Sequence, residues 1–497
     1  MSEQIKFGAL LSYGTIVFSV VAGIIYTPWL VSEIGMSEYG IYVLAMSVLT
    51  YFSFDFGLGE AVARYVAKYR SQGEHKKISA LLGLTAKIYF LGNLLVLLGL
   101  IVFYFFIDGF FTELSLQEVS TFKEIYIVSG FFIVVSFQFL PINGVLLAYE
   151  KFVLLKSLDL FVKVSTIMLM VVAILLGHKV FALVTINILI GSVVIIFKVI
   201  YLIRYTPVGI SFTSTEPGLL KDMAGFTGWT TLTLLAQRLL MSLAPTILAV
   251  YSGSQQIAIF AIGMLIEGYV WTFANALNGL FLARVTGLAS EQNGVDKITR
   301  LMVVVGRMQL ILISSLCIGL VFFGAEFINL WMGNGFSESY IVMLLLVLPT
   351  IISVTQQIAS THLVVNNKIR LQSILFMISS AFGLSISLFL VEDLGAIGVA
   401  TGIMIATILG KIVVPNFIFN KYLDINLIYF FKETYFKLAI PLLLSISTAW
   451  VISVSIPESN FILFVIKSLL FLFAYGVIIW LLGINKEEKN QLAKLFQ

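Results

Sequence analysis

Long uninterrupted apolar runs constrain this chain more than any other feature. Residues 91–107 contain no charged side chain, and residues 461–482 contain only Lys467. About twenty such residues in a helix, at 1.5 Å each, cross the hydrocarbon of a bilayer. No water is present there to satisfy backbone N–H and C=O groups, so a spanning chain must be a helix bundle or a closed barrel. Barrel strands would alternate polar and apolar residues over about ten positions, and these runs do not alternate. Only 11% of the 497 residues are charged, against roughly 25% in soluble domains. The expected fold is therefore an all-α membrane bundle.

The apolar pattern predicts about fourteen transmembrane helices, at residues 8–31, 41–66, 79–107, 121–148, 153–177, 180–203, 222–251, 255–289, 298–331, 337–365, 371–391, 396–419, 435–456 and 461–482. Residues 1–7 are polar with one lysine, and no small-residue cleavage site follows, so the first run reads as a membrane helix and not a removable signal. Lysine and arginine collect in alternate loops, among them Lys68, Arg70, Lys76 and Lys77, then Lys151 and Lys156, then Lys368 and Arg370. The opposite loops hold only Lys123 and Lys179, beside acids such as Glu38, Asp108 and Glu326. Short loops rich in basic residues stay in the cytoplasm, which places both termini there, in a bacterial cytoplasmic (inner) membrane. Cys317 is the single cysteine, and His75, His178 and His362 are scattered. No internal disulfide, metal site or cofactor is expected, and no nucleic-acid partner.

The longest polar connection carries Pro207, Gly209, Pro217 and Gly218 and reads as a linker. It divides the chain into an N-lobe over residues 1–205, a cytoplasmic linker over 206–221, a C-lobe over 222–425, and two extra helices with a tail over 426–497. The lobes repeat weakly. Ala63-Arg64 aligns with Ala283-Arg284 at an offset of 220, Lys151 with Lys368 at 217, and Leu176-Gly177 with Leu394-Gly395 at 218. Six helices per copy make the repeat parallel, with its pseudo-symmetry axis along the membrane normal and a cavity between lobes. Chance alignment of helices with similar hydropathy is the bland alternative.

The first spans carry a distinctive set of residues: Gly8-x-x-x-x-Tyr13, Thr27-Pro28-Trp29-Leu30, Gly35-Met36-Ser37-Glu38-Tyr39-Gly40-Ile41-Tyr42, Asp55-Phe56-Gly57-Leu58-Gly59 and Ala63-Arg64-Tyr65. Over residues 1–75 this resembles the polysaccharide transporter (Wzx-type) flippases of the multidrug/oligosaccharidyl-lipid/polysaccharide exporter superfamily. The resemblance implies a two-lobe transporter that alternates between inward-open and outward-open states. It also implies a cargo, undecaprenyl-diphosphate-linked oligosaccharide, carried outward for cell-surface polysaccharide synthesis. The core of that superfamily has twelve helices, so the last two are an addition. Lipid II flippases share it, and there the extra pair is thought to line a groove for the lipid tail.

A charge near the bilayer centre costs about 2.5–3.5 kcal/mol on insertion scales, which makes intramembrane charges the main functional clue. Arg238, midway along the seventh span, offers a forked guanidinium matched to phosphate oxygens, or else an internal ion pair. Arg64 and Arg284, near the cytoplasmic ends of the second and eighth spans, are either substrate contacts or snorkelling ends. Asp159 and Lys163 are spaced i, i+4 and either pair with each other or leave Lys163 to contact substrate. Asp55, Glu60, Asp159 and Glu267 are the candidates for ion coupling, because a buried carboxylate can exchange a proton as access alternates. Their alternative role is to neutralise the arginines. Lys87, Lys411 and Lys467 are expected to snorkel to an interface. Gly57, Gly59, Gly398 and Gly402 are expected to allow close helix contact, since Gly57-x-Gly59-x-x-Val62 lacks the third glycine of a dinucleotide loop.

Two other functions compete. A multidrug antiporter of the same superfamily would favour an acidic cavity for cationic substrates. A membrane glycan polymerase would need a sizeable outer loop to position its sugar, whereas the longest here is residues 108–120, so no enzyme activity is expected. The expected partners are the undecaprenyl-diphosphate-linked glycan, membrane lipids, and a glycan polymerase or glycosyltransferases.

Overall fold

The computed structural model describes residues 3–52, 57–212, 219–275, 281–366, 368–457, 460–485 and 488–489, and among these every regular element is helical. Among the described residues eleven helices are long and apolar enough to cross a membrane, and the bent pair Ser339–Thr355 and Gln357–Val365 makes twelve. The expected fourteen is approximate, and two breaks account for the difference. The segment Arg370–Leu423 has 54 residues, about 80 Å of helix and far more than a bilayer needs. It reverses at Gly395, whose φ of 50° and ψ of −127° lie outside helical space. The second expected span is divided between Met36–Phe52 and Leu58–Ser71, of 17 and 14 residues, each short for a crossing.

The chain divides into two compact units, Met1–Ala258 and Ile259–Gln497. The first contains α1 (Glu3–Ile34), α2 (Met36–Phe52), α3 (Leu58–Ser71), α4 (His75–Phe110), α5 (Leu116–Phe137), α6 (Pro141–Ala148), α7 (Phe152–Leu175), α8 (Val180–Tyr205) and α9 (Leu219–Tyr251). One start signal is plain in the sequence: Ser115-x-x-Glu118 forms a reciprocal capping box at the head of α5, satisfying two orphan N–H groups. At the acidic ends of these helices Lys123 pairs with Asp108 at 2.5 Å and Lys179 with Glu38 at 2.9 Å. The hydrogen bond to Glu38 holds the Lys179 ammonium above its ordinary pKa.

Helix α9 is fastened to α2, where the Tyr51 hydroxyl donates to the Ser242 carbonyl at 2.6 Å. The connection after α8 lies along α4. There the Ser211 N–H donates to the Ser79 carbonyl at 3.0 Å, and Lys87 Nζ donates to the Phe212 carbonyl at 2.6 Å. A Cβ on Gly83 would stand 1.8 Å from the Ser211 carbonyl oxygen, so a glycine is what admits the connection to this face of α4.

The second unit follows with α10 (Ser254–Asn275), which begins just before the boundary, then α11 (Leu282–Ala289), α12 (Gly294–Met332), α13 (Ser339–Val347), α14 (Thr350–Thr355), α15 (Gln357–Val365), α16 (Ile369–Thr407), α17 (Val414–Leu423), α18 (Leu427–Phe431), α19 (Lys437–Ser455) and α20 (Phe461–Ile478). Helix α12 packs against α11, α13, α14, α15, α18, α19 and α20. Its Ile298, Met302 and Val305 share one buried cluster with Ile358, Phe419 and Phe430. Its Ile318 and Phe323 share another with Ala449, Ile452, Phe471 and Tyr475 of α19 and α20.

Two buried ion pairs fasten the last two helices to α12. The expectation that Lys467 snorkels is overturned, for its side chain is 1% exposed and its ammonium donates to Glu326 Oε2 at 2.6 Å. Lys467 faces α12 instead of lipid, and an opposite charge 141 positions earlier meets it there. Arg307 is also buried. Its Nε donates to Glu488 Oε1 at 2.6 Å, Nη2 to the Gly483 carbonyl at 2.7 Å and Nη1 to the Glu433 carbonyl at 2.8 Å. A forked guanidinium whose three nitrogens each donate a hydrogen bond is the form in which a buried cation is tolerated.

Candidate functional site

A break in the fourth span shapes a cavity. After the turn at Gln138–Leu140, Pro141 opens α6 in its first turn, a position where the missing N–H has no partner to lose. Gln138 Nε2 donates to the Ala86 carbonyl at 3.0 Å across the break. Helix α6 then lies so close to α3 that a Cβ on Gly144 would stand 2.3 Å from the Gly59 carbonyl oxygen. Beside this contact, wholly within the first unit, opens a cavity of about 940 Å³, large for a small-molecule site. Its lining includes Glu60 from α3, Asn143 and Gly144 from α6, Lys156 and Asp159 from α7, Lys198 from α8, and Gln237 and Arg238 from α9.

Three cations, Lys156, Lys198 and Arg238, and two carboxylates, Glu60 and Asp159, therefore surround one void in a chain that is otherwise strongly apolar. Lys156 Nζ lies 3.4 Å from Asp159 Oδ2, and Lys198 Nζ donates to Asn143 Oδ1 at 2.9 Å. Lys198 and Lys163 also feel the charge of Asp159. A cavity with surplus positive charge and mobile ammonium donors is suited to an anion.

Of the residues singled out from sequence, Arg238, Glu60 and Asp159 meet at this cavity. Lys163 follows neither expected course: its ammonium donates to Ser19 Oγ on α1, and it is not among the cavity residues described. Asp159 takes Lys156 as its i, i+3 partner, because α7 packs Lys163 toward α1. Arg64 is exposed one turn beyond Glu60 on α3 and lies outside the described lining. Glu267 and Arg284 belong to the second unit. Arg284 is exposed on α11. Glu267 is half-buried on α10 within electrostatic reach of Lys411. Lys411, expected to reach an interface, instead places its ammonium over the Trp271 ring at 4.9 Å. It issues from the π-helical turn Ile408–Val413, a distortion that concentrates at functional positions. Asp55 lies outside the described residues, among which no metal-ligating cluster occurs.

Lys156 enters the sequence reading only as a marker of membrane orientation, and Lys198 and Asn143 not at all. A lysine inside the sixth apolar run is the signal that points to Lys198.

The fold is that of the MOP-superfamily transporters. It aligns with the lipid II flippase MurJ in an inward closed conformation at a TM-score of 0.71 and 16% identity, covering 95% of this chain and 98% of that one. It aligns with an inward-facing multidrug resistance MATE family transporter at 0.63 and 16%, covering 82% and 97%. A MOP superfamily transporter from Pyrococcus furiosus aligns at 0.57 and 15%, covering 83% and 93%. No curated protein matches the chain. Residues 8–280, more than half of the chain, match the family described as polysaccharide biosynthesis protein, and the chain belongs to that family.

Proposed function

We propose that the protein carries an undecaprenyl-diphosphate-linked oligosaccharide from the cytoplasmic to the outer leaflet of a bacterial inner membrane by alternating access, with both termini cytoplasmic, for cell-surface polysaccharide synthesis. The observation that carries this reading is the cavity of the first unit, where cations from α7, α8 and α9 outnumber the carboxylates. A diphosphate supplies the anionic oxygens that lysine and arginine recognise, and a cationic drug would meet repulsion there. Family membership supports a glycan cargo. Alignment over 95% of the chain with the lipid II flippase, against 82% with the multidrug transporter, supports a lipid-linked one.

Deleting the gene should remove the surface glycan and accumulate its lipid-linked precursor on the inner leaflet, both restored by a plasmid copy. Undiminished surface glycan in the deletion strain would sink the proposal. Transport of lipid II itself is a second reading, favoured by the same alignment. Rescue of cells depleted of their own lipid II flippase separates it from the first.

Ion coupling is assigned to Glu267, whose carboxylate shares the interior of the second unit with Lys411. Glu267→Gln should keep cargo binding yet lose the response of reconstituted transport to an imposed proton or sodium gradient. Transport that still follows the gradient in this variant rules the assignment out.

A further inference from the structure

Three lysines gather around Asp159. Lys156 meets it at 3.4 Å, and Lys163 and Lys198 lie within reach of its charge. Lys156, Lys198 and Asp159 all line the cavity, from two different helices, and Asn143 steadies Lys198 at 2.9 Å. The Asp159 side chain is 49% exposed, so its carboxylate is open to the cavity and not sealed in the bundle.

We propose that Asp159 is a built-in counter-ion, seated in an anion site formed by Lys156 and Lys198 and displaced when a phosphate or diphosphate group arrives. The inference rests on the cavity reading above and goes beyond it by assigning how the positive charge of the empty site is partly offset and how cargo leaves. Cations gathered around one void repel one another when no counter-charge lies between them, so the carrier without cargo needs an internal anion. A half-exposed i, i+3 pair is held weakly and yields to a diphosphate, which brings more charge and more acceptor oxygens. On the far side the returning carboxylate competes with the cargo and favours its release. A transport site must bind well enough to load and weakly enough to empty, and Asp159 sets that compromise. In this role it exchanges with cargo, in place of the proton its sequence context suggests.

The test titrates inorganic pyrophosphate into the purified full chain in detergent at low salt, comparing wild type, Asp159→Asn and the double variant Lys156→Met/Lys198→Met. Asparagine keeps the shape and removes the charge. It should tighten binding about tenfold, the effect of one partly screened charge, while the double variant weakens it by a similar factor. Reconstituted Asp159→Asn should also turn over more slowly, because release is impeded. Wild-type binding that weakens in the lysine variant but does not tighten in Asp159→Asn overturns the counter-ion role and leaves the cavity reading intact. Absence of pyrophosphate binding in all three overturns both. Monodisperse elution checks folding, and Asp159→Ser repeats the charge removal should the asparagine variant misfold.

Discussion

Lys467→Met should destabilise the protein by about 3–5 kcal/mol, the cost of leaving one member of a buried ion pair uncompensated. The pair with Glu326 is 1% and 5% exposed and lies where α20 meets α12. Once the ammonium is gone, Glu326 keeps a buried carboxylate on α12, the helix whose Ile318 and Phe323 pack with Phe471 and Tyr475. Its Oε1 already lacks a hydrogen-bond partner among the described residues, so the pair is incompletely satisfied even when intact. The double variant Glu326→Gln/Lys467→Met should therefore recover most of the loss, since neutral groups of similar volume often replace a buried pair at little cost. Thermal unfolding of the detergent-purified proteins decides it, and a Lys467→Met midpoint equal to wild type would refute the argument. The exposed pair Lys437–Glu433, at 58% and 22% exposure, is the internal control. Its removal should be worth no more than about 1 kcal/mol.

The same pair shows where sequence reasoning stops. Membrane spans are legible because hydropathy is a local property, and the hairpin at Gly395 falls where two expected spans meet. Whether an intramembrane lysine snorkels is not local. It depends on which way the helix faces, and the partner of Lys467 lies 141 positions away. Arg307 lies just as hidden, inside the ninth apolar run, with a carboxylate and two carbonyls from the last seventy residues converging on it. These contacts give α19 and α20 a physical account: they are bolted to α12 by buried charge and a shared apolar cluster. At the cavity, residues that stand out by depth, such as Arg238 and Glu60, are legible. Lys156 is not, because a lysine near a helix end looks like any other interfacial lysine until α6 and α3 fold against it. Local spacing misleads at Asp159, where i, i+4 and i, i+3 partners are both available and packing against α1 takes Lys163 away.

Arg238→Ala should lower glycan export about ten- to a hundredfold at matched protein levels, the equivalent of one or two hydrogen bonds to a charged group at about 1.5 kcal/mol each. The expectation follows from position as well as charge. Arg238 stands within α9 and lines the cavity together with Lys156 and Lys198 from other helices. An arginine fork can engage two phosphate oxygens at once, whereas lysine offers a single point charge. Arg238→Lys should accordingly fall between wild type and alanine. Arg64 is the comparator: from sequence it is either a substrate contact or a snorkelling end, and it sits on α3 outside the described lining, so Arg64→Ala should cost far less. Export is read as surface glycan in a deletion strain carrying each variant, with the lipid-linked precursor quantified in parallel. A loss at Arg238 with precursor accumulating locates the defect in translocation and not in synthesis. Wild-type export by Arg238→Ala would remove the diphosphate from this cavity, because the arginine of its described lining would then be one the cargo never meets.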